Sequence, residues 1–228
     1  MKLSIENFVY GATDGAVTTF AIVAGVFGAS LSPSIILILG FANLIADGFS
    51  MAVGNYLSVK THNESIAKAR RKEEWEIDHL IEEEKQEIRD IYEAKGFKAE
   101  LLEEVVRIIT ARRKVWVDTM MKEELGLIEQ KITPIENALN TFVGFTTIGI
   151  IPLIPFILLY FSGYLLSASN AFFYSVLATA SAFFLIGVIR GRVVQKSLIR
   201  AGLNTLIIGG AAATVSFAVG NFLSTLVK

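Results

Sequence analysis

Hydrophobic and polar positions along this chain fall into long uniform blocks rather than short alternations. Five blocks are almost wholly apolar: about 8–29, 34–57, 138–161, 170–190 and 203–226. Each has the roughly 20 residues that a helix needs to cross the hydrocarbon core of a bilayer. A different kind of sequence separates the second block from the third. Residues 62–95 read HNESIAKARRKEEWEIDHLIEEEKQEIRDIYEAK, densely charged and free of proline and glycine, which predicts a helix. Gly96 breaks it, residues 98–131 form a second helical stretch, and Pro134 precedes the third apolar block. The pattern predicts an all-α integral membrane protein: five transmembrane helices, with a cytoplasmic helical insert between the second and third. The expected division is 1–59 for the first two spans, 60–137 for the insert and 138–228 for the last three spans.

Charge orients this arrangement. The linker RGRVVQKSLIR between the fourth and fifth blocks carries Arg190, Arg192, Lys196 and Arg200, whereas SLSPS and SGYLLSASN carry no charge. The positive-inside bias puts the basic linker in the cytoplasm. Counting back through the spans puts the insert and the N-terminus on that side too. The first block contains an acid and is preceded only by Lys2, so it reads as a retained span and not a signal peptide. Short loops and a short N-terminal lead fit a prokaryotic inner membrane better than a vacuolar one.

Composition narrows the chemistry. The absence of cysteine excludes disulfides, thiolate metal sites and thiol nucleophiles. Net charge is −1, and no basic stripe on a soluble face points to nucleic acid. Of 22 acidic residues, 19 lie in 60–137; the others are Glu6, Asp14 and Asp47.

Asp14 and Asp47 are the most informative of these, because each lies inside an apolar block. A carboxylate at mid-membrane costs about 2.5–3.5 kcal/mol on insertion scales. Gly11 and Gly15 enclose Asp14 in a GxxxG pattern that brings helix backbones close. On the second block Asn43, Asp47 and Met51 are four residues apart and share one helix face. That stripe offers a carboxamide, a carboxylate and a thioether over about 12 Å. Thr13 and Thr18 are near Asp14 in sequence. Oxygen ligands suit magnesium, calcium or manganese, and a thioether moves the preference toward first-row transition metals. A carboxylate there can also take up and release a proton. Pro152 and Pro155 are expected to kink the third span and free backbone carbonyls.

In the insert, Glu73 and Glu76 form one i, i+3 pair and Glu84 and Glu87 another. On a straight helix the pairs are about 16 Å apart, too far for one ion, so a bend, a second helix or a second subunit must bring them together. Met120, Met121 and Glu124 add thioethers and a carboxylate, with Glu124 one turn beyond Met120. The competing explanation is a solvated helix laced with salt bridges, since 15 Lys and Arg accompany the 19 acids. Glu76 and His79 also fit the Glu-x-x-His motif of di-iron bundles, but such sites need two motifs and only one occurs.

DGAVTTFAIVAGVFGA in the first block and ADGFSMAVGNYLSVK in the second resemble the signatures of the vacuolar iron transporter family. The likeness extends over the whole chain and is most specific in its first 60 residues. It implies a homodimer with its transport path along the interface, and exchange of Fe²⁺ for protons. Asp14 matches the aspartate of the family's first-span DG motif, and Met51 its second-span methionine. Glu73, Glu76, Glu84, Glu87, Met120, Met121 and Glu124 match the family's metal-binding insert in order and spacing. Plant members carry a glutamate where this chain has Asn43. Asparagine cannot change charge with pH and aspartate can, which moves the expected proton coupling to Asp47.

The sequence therefore predicts a membrane transporter, not an enzyme, that moves Fe²⁺ out of the cytoplasm in exchange for protons. Mn²⁺, Zn²⁺ and Co²⁺ are further candidate cargoes, and no prosthetic group is expected. Its partners would be membrane lipid, divalent metal ions, protons and a second copy of itself. Three alternatives compete: a manganese transporter, a membrane-anchored ferritin-like iron-oxidising protein, and a structural protein with a helical stalk.

Overall fold

The computed structural model describes residues 4–128, 133–161 and 167–226. Among them every regular element is helical. The chain divides into two compact units, 1–57 with 133–228, and 58–132. Residues 129–131 of the second predicted helix and 162–166 of the uncharged linker SGYLLSASN lie outside the described residues.

The first unit holds five helices, or broken helices, long and apolar enough to cross a membrane. Helix α1 (Ile5–Gly28) starts at Ser4, whose hydroxyl accepts from the Asn7 amide at 3.4 Å, with Glu6 favourably placed in the first turn. It packs against α6 (Pro134–Gly149), α8 (Ala168–Val193) and α9 (Leu198–Leu226), and so forms the centre of the bundle. Lipid tails are as apolar as leucine, so helices in a membrane associate through close packing rather than burial from water. Gly11 and Gly15 provide that packing. A Cβ on Gly11 would strike the Thr141 carbonyl, and one on Gly15 the Phe145 carbonyl. The backbones of α1 and α6 touch there, as the GxxxG pattern predicts. Phe145, Leu153, Phe156 and Val23 fill the adjoining core. Ser216 pins α9 to α1 by donating to the Ala21 carbonyl at 2.5 Å.

The third span breaks where the prolines predict. A 3₁₀ turn (Ile151–Leu153) interrupts it before α7 (Ile154–Phe161). The Pro152 carbonyl is satisfied from another helix, by the buried Ser175 hydroxyl at 2.7 Å. Helix α2 (Pro33–His79) corrects the sequence reading: the second span and the start of the insert are one 47-residue helix.

The second unit contains the rest of α2, α3 (Ile81–Ala94), α4 (Ala99–Thr110) and α5 (Arg113–Glu123). Both predicted helices of the insert are broken. The first breaks at Leu80 (φ −120°), with neither glycine nor proline; the Leu80 amide still donates to the Glu76 carbonyl at 2.6 Å and the Glu84 amide to the Leu80 carbonyl at 3.0 Å, so the break is a kink, and α3 beyond it packs against α4. The second breaks at 111–112 and ends at Gly126 (φ +64°), where glycine adopts the left-handed conformation at no steric cost. Gly96 (φ +99°) ends α3 as expected. Leu102, Val106 and Ile109 of α4 meet Trp116, Val117, Met120 and Met121 of α5, and Ile66 and Ile77 of α2, in one apolar cluster.

Candidate functional site

Each unit builds its own constellation. In the bundle, α1 and α2 form an antiparallel hairpin around the turn at 29–32. Positions facing each other step away from that turn in register. Thr18 faces Asn43, whose Nδ2 donates to the Thr18 hydroxyl at 3.2 Å. The same hydroxyl donates to the Asp14 carbonyl at 2.9 Å. One step further out, the Asp14 and Asp47 carboxylates are electrostatic neighbours. Further still, Asn55 Nδ2 donates to Asn7 Oδ1 at 2.8 Å and to Thr141 Oγ1 at 2.6 Å. The result is a ladder of polar side chains between two otherwise apolar helices.

Asp14, Asn43, Asp47 and Met51 are all half-buried. Met51 packs at the edge of the core around Phe145 and Leu44. Among the described residues neither aspartate is paired with a lysine or arginine. Thr13 turns away, donating to the Val9 carbonyl at 2.7 Å. The sequence reading missed Asn55, Asn7 and Thr141. The signal for Asn55 was available: it continues the stripe of Asn43, Asp47 and Met51 by another four residues.

In the second unit the charges separate into two sets. Outer acids are paired with cations: Asp78 with Arg113 at 2.9 Å, Asp118 with Arg70 at 2.6 Å, Glu103 with Arg89 at 2.7 Å, and Glu123 with Lys95. The Arg113 and Arg89 guanidiniums hold Asp78 and Glu103 below the usual carboxylate range. Of the inner acids, Glu76 alone has such a partner among the described residues. Glu73 and Glu84 are buried, and each has a carboxylate oxygen with no hydrogen-bond partner. Glu87 and Glu124 make no ion pair among the described residues, and Glu76 is held by Lys72 at 2.8 Å.

Burial, and then the charges of Glu87, Glu73, Glu76 and Glu124, push the Glu84 carboxyl up to about 7. Glu124 reaches about 7 through desolvation of its carboxyl end, then the charges of Glu73 and Glu87, although much of its surface is exposed. Five glutamates from α2, α3 and the segment after α5 thus act on one another, although the sequence places the two pairs far apart on a straight helix. The kink at Leu80 falls between the two pairs. Met120 and Met121 are buried in the adjoining apolar cluster. Among the described residues no three Asp, Glu or His side chains converge closely enough to chelate one ion as they stand. His79 stacks on Trp75, with its Nδ1 2.7 Å from the Trp75 carbonyl, and is not aimed at the glutamates.

Five spanning helices with carboxylates retained between two of them define a multi-pass membrane protein with polar groups reserved inside its bundle. The VIT family model matches residues 5–221, and the chain belongs to that family. A vacuolar iron transporter of Toxoplasma gondii is 36% identical over 98% of this chain and 75% of its own length. One from Plasmodium falciparum is 32% identical over 96% of this chain and 82% of its own length. Vacuolar iron transporter 1 of Arabidopsis thaliana is 30% identical over 93% of this chain and 83% of its own length. This membership makes the protein a transporter, not an enzyme.

Proposed function

We propose that the protein is a homodimeric exporter that moves Fe²⁺, and secondarily Mn²⁺, out of the cytoplasm in exchange for protons. The observation that carries this reading is the pair of buried, unpartnered carboxylate oxygens on Glu73 and Glu84. Leaving a charged group unsatisfied costs about 1–3 kcal/mol or more, and a proton or a metal ion would remove that cost. Thioethers at Met120 and Met121 beside such carboxylates favour a first-row transition metal over magnesium or calcium. The names of the relatives support iron as that metal.

On this reading the insert faces the cytoplasm and collects the ion through Glu73, Glu76, Glu84, Glu87, Met120, Met121 and Glu124. Closing the glutamates around an ion is the step that loading requires. Asp14, Asn43, Asp47 and Met51 then carry it through the bundle. Their half-buried position supports a second copy completing the path. Asp47 is the proton-coupled group, since Asn43 cannot titrate. Metal arriving between Asp14 and Asp47 would expel a proton, and protonation would release the metal.

The test follows internal metal and internal pH together in proteoliposomes holding the full chain. Fe²⁺ uptake driven by a pH gradient, with counterflow of protons, is the expected result. Asp47→Asn should uncouple the two while slow metal leakage persists. Uptake indifferent to the pH gradient in the wild-type protein would overturn exchange, and unchanged proton counterflow per ion in the mutant would overturn the role of Asp47.

A further inference from the structure

The end of α8 and the start of α9 enclose a cavity of about 370 Å³, lined by Arg190, Lys196, Ser197, Arg200 and Asn204, with Val194 at its apolar side. Nothing in the transport reading uses it. Three features point to an anion. The first is uncompensated charge: 138–228 contains no Asp or Glu, and among the described residues none of these cations is in an ion pair. The second is electrostatic placement. Arg190 lies in the last turn of α8, where a cation suits the helix dipole, but Arg200 lies in the first turn of α9, which has no acid. A cation at that end is disfavoured, and the free amides of the first turn call for a negative group. The third is backbone geometry. Gln195 adopts a positive φ of 52° to turn the chain, and Lys196 donates its amide to the Gly191 carbonyl at 2.9 Å, which fixes Lys196 at the mouth.

We propose that this cavity binds the phosphate of an anionic lipid headgroup. Phosphate is the chemistry that the cations, the Ser197 hydroxyl and the helix start would recognise together. A lipid is the favoured source because the cavity lies where two spanning helices meet their linker, and exposed Val194, Leu198 and Ile199 flank it with apolar surface for acyl chains. Basic pockets between spanning helices recognise headgroups in this way. The lipid would tie the linker to one leaflet and hold α8 and α9 in register.

Native mass spectrometry of the full chain in detergent tests this, with phosphatidylglycerol, phosphatidylcholine and inorganic phosphate as separate probes. Phosphatidylglycerol should remain bound under activation that strips phosphatidylcholine. Lys196→Gln with Arg200→Gln should weaken phosphatidylglycerol binding roughly thirtyfold, at the usual strength of two cations near a lipid surface. Arg192→Gln, outside the cavity, should leave binding nearly unchanged. Should the double variant fail to fold, Lys196→Gln alone should show a loss of about fivefold. Equal loss in Arg192→Gln, or equal retention of phosphatidylcholine, would reduce the cavity to diffuse electrostatics and overturn the proposal. Displacement of the lipid by millimolar inorganic phosphate would make it a free-anion site and overturn the lipid assignment.

Discussion

The two units of this protein both keep carboxylates away from bulk water, but they do so against different backgrounds. In the bundle, polar side chains are scarce. Asp14 and Asp47 stand out because the α1 and α2 faces around them are apolar, and α1 is held to α6 by glycine-to-backbone contacts such as Gly11 against Thr141. In the insert, acids are abundant, and what distinguishes Glu73 and Glu84 is the absence of a partner. Basic side chains pair with Asp78, Asp118, Glu103 and Glu123 at the surface, and Lys72 with Glu76, while the buried Glu73 and Glu84 are left to the repulsion of their neighbours. On the proposed function, a carboxylate marks its role by rarity in one unit and, at Glu73 and Glu84, by burial without a cation partner in the other. Surface pairs are worth at most about 1 kcal/mol each, so the outer set adds little stability.

The strongest way to break this comparison is Asp14→Asn. If the rare intramembrane acid is the indispensable one, the variant should abolish metal uptake by proteoliposomes while circular dichroism shows full helicity. Uptake at the wild-type rate would remove Asp14 from the path. Next in size is replacement of Glu73, Glu76, Glu84 and Glu87 together by Gln in the full chain. Saturable Zn²⁺ binding by calorimetry, with Zn²⁺ standing in for Fe²⁺, should lose its insert component. The metal-free insert should melt at a higher temperature, because buried like charges have been removed. An unaltered isotherm would dissociate the glutamates from metal. Loss of binding with loss of stability would mean that they are structural.

Much of this was legible in the sequence, and the exceptions share a cause. The five spans, a close helix contact at Gly11 and Gly15, and the break at Pro152 follow from local rules of length, residue size and missing donors; that α6 is the partner at Gly11 does not. The kink at Leu80 could not be read, because it has no glycine, proline or cap. It lies between Ile77 and Ile88, which share one apolar cluster with α4 and α5, a tertiary context that overrides helix propensity. Gly126 was a visible stop, but the helical pattern was read through it. Asp14, Asp47 and the inner glutamates were identifiable as candidates from type and spacing. Which acids would be paired was not, because the arginine partners come from remote positions, such as Arg113 for Asp78 and Arg70 for Asp118.

A smaller effect sharpens the contrast through pH. Glu84 and Glu124 titrate near 7 in the folded insert against about 4.5 unfolded. The folded state therefore binds these protons more tightly, and the stabilisation is complete below the unfolded value and lost as pH rises through about 7. The metal-free insert should melt lower at pH 8 than at pH 6, and a bound divalent ion should remove most of that difference. Asp78, Glu103 and Glu123 have the opposite sign, and their contribution is lost only in acid. Both tryptophans, Trp75 and Trp116, lie in the insert, so fluorescence-detected melting of the full chain isolates it from the bundle. Melting that rises from pH 6 to pH 8 without metal would contradict the assignment.

The smallest expected effect concerns the ladder itself. Asn55→Leu removes two hydrogen bonds, to Asn7 and Thr141, each worth about 0.6 kcal/mol between membrane helices. Both former acceptors keep the bonds in which they donate, Asn7 Nδ2 to the Ser4 hydroxyl at 2.8 Å and Thr141 to the Asn137 carbonyl at 3.0 Å, and the Asn7 Oδ1 that loses its donor belongs to a half-buried residue. Loss of stability should therefore stay near 1 kcal/mol, read as a small fall in the melting of helicity. If Asn55 only holds α2 in register beside α1, metal flux should fall slightly while its dependence on pH is unchanged, since no titrating group has been touched. Asn55→Asp then becomes the discriminating partner. It keeps the shape but adds a third carboxylate to the ladder that already holds Asp14 and Asp47. A changed pH dependence in Asn55→Asp alone would confirm that the ladder carries the cargo's electrostatics along its whole length. Abolition of flux by Asn55→Leu, as expected for Asp14→Asn, would make a neutral amide as indispensable as the rare acid, and rarity of charge would no longer mark the functional residues of the bundle.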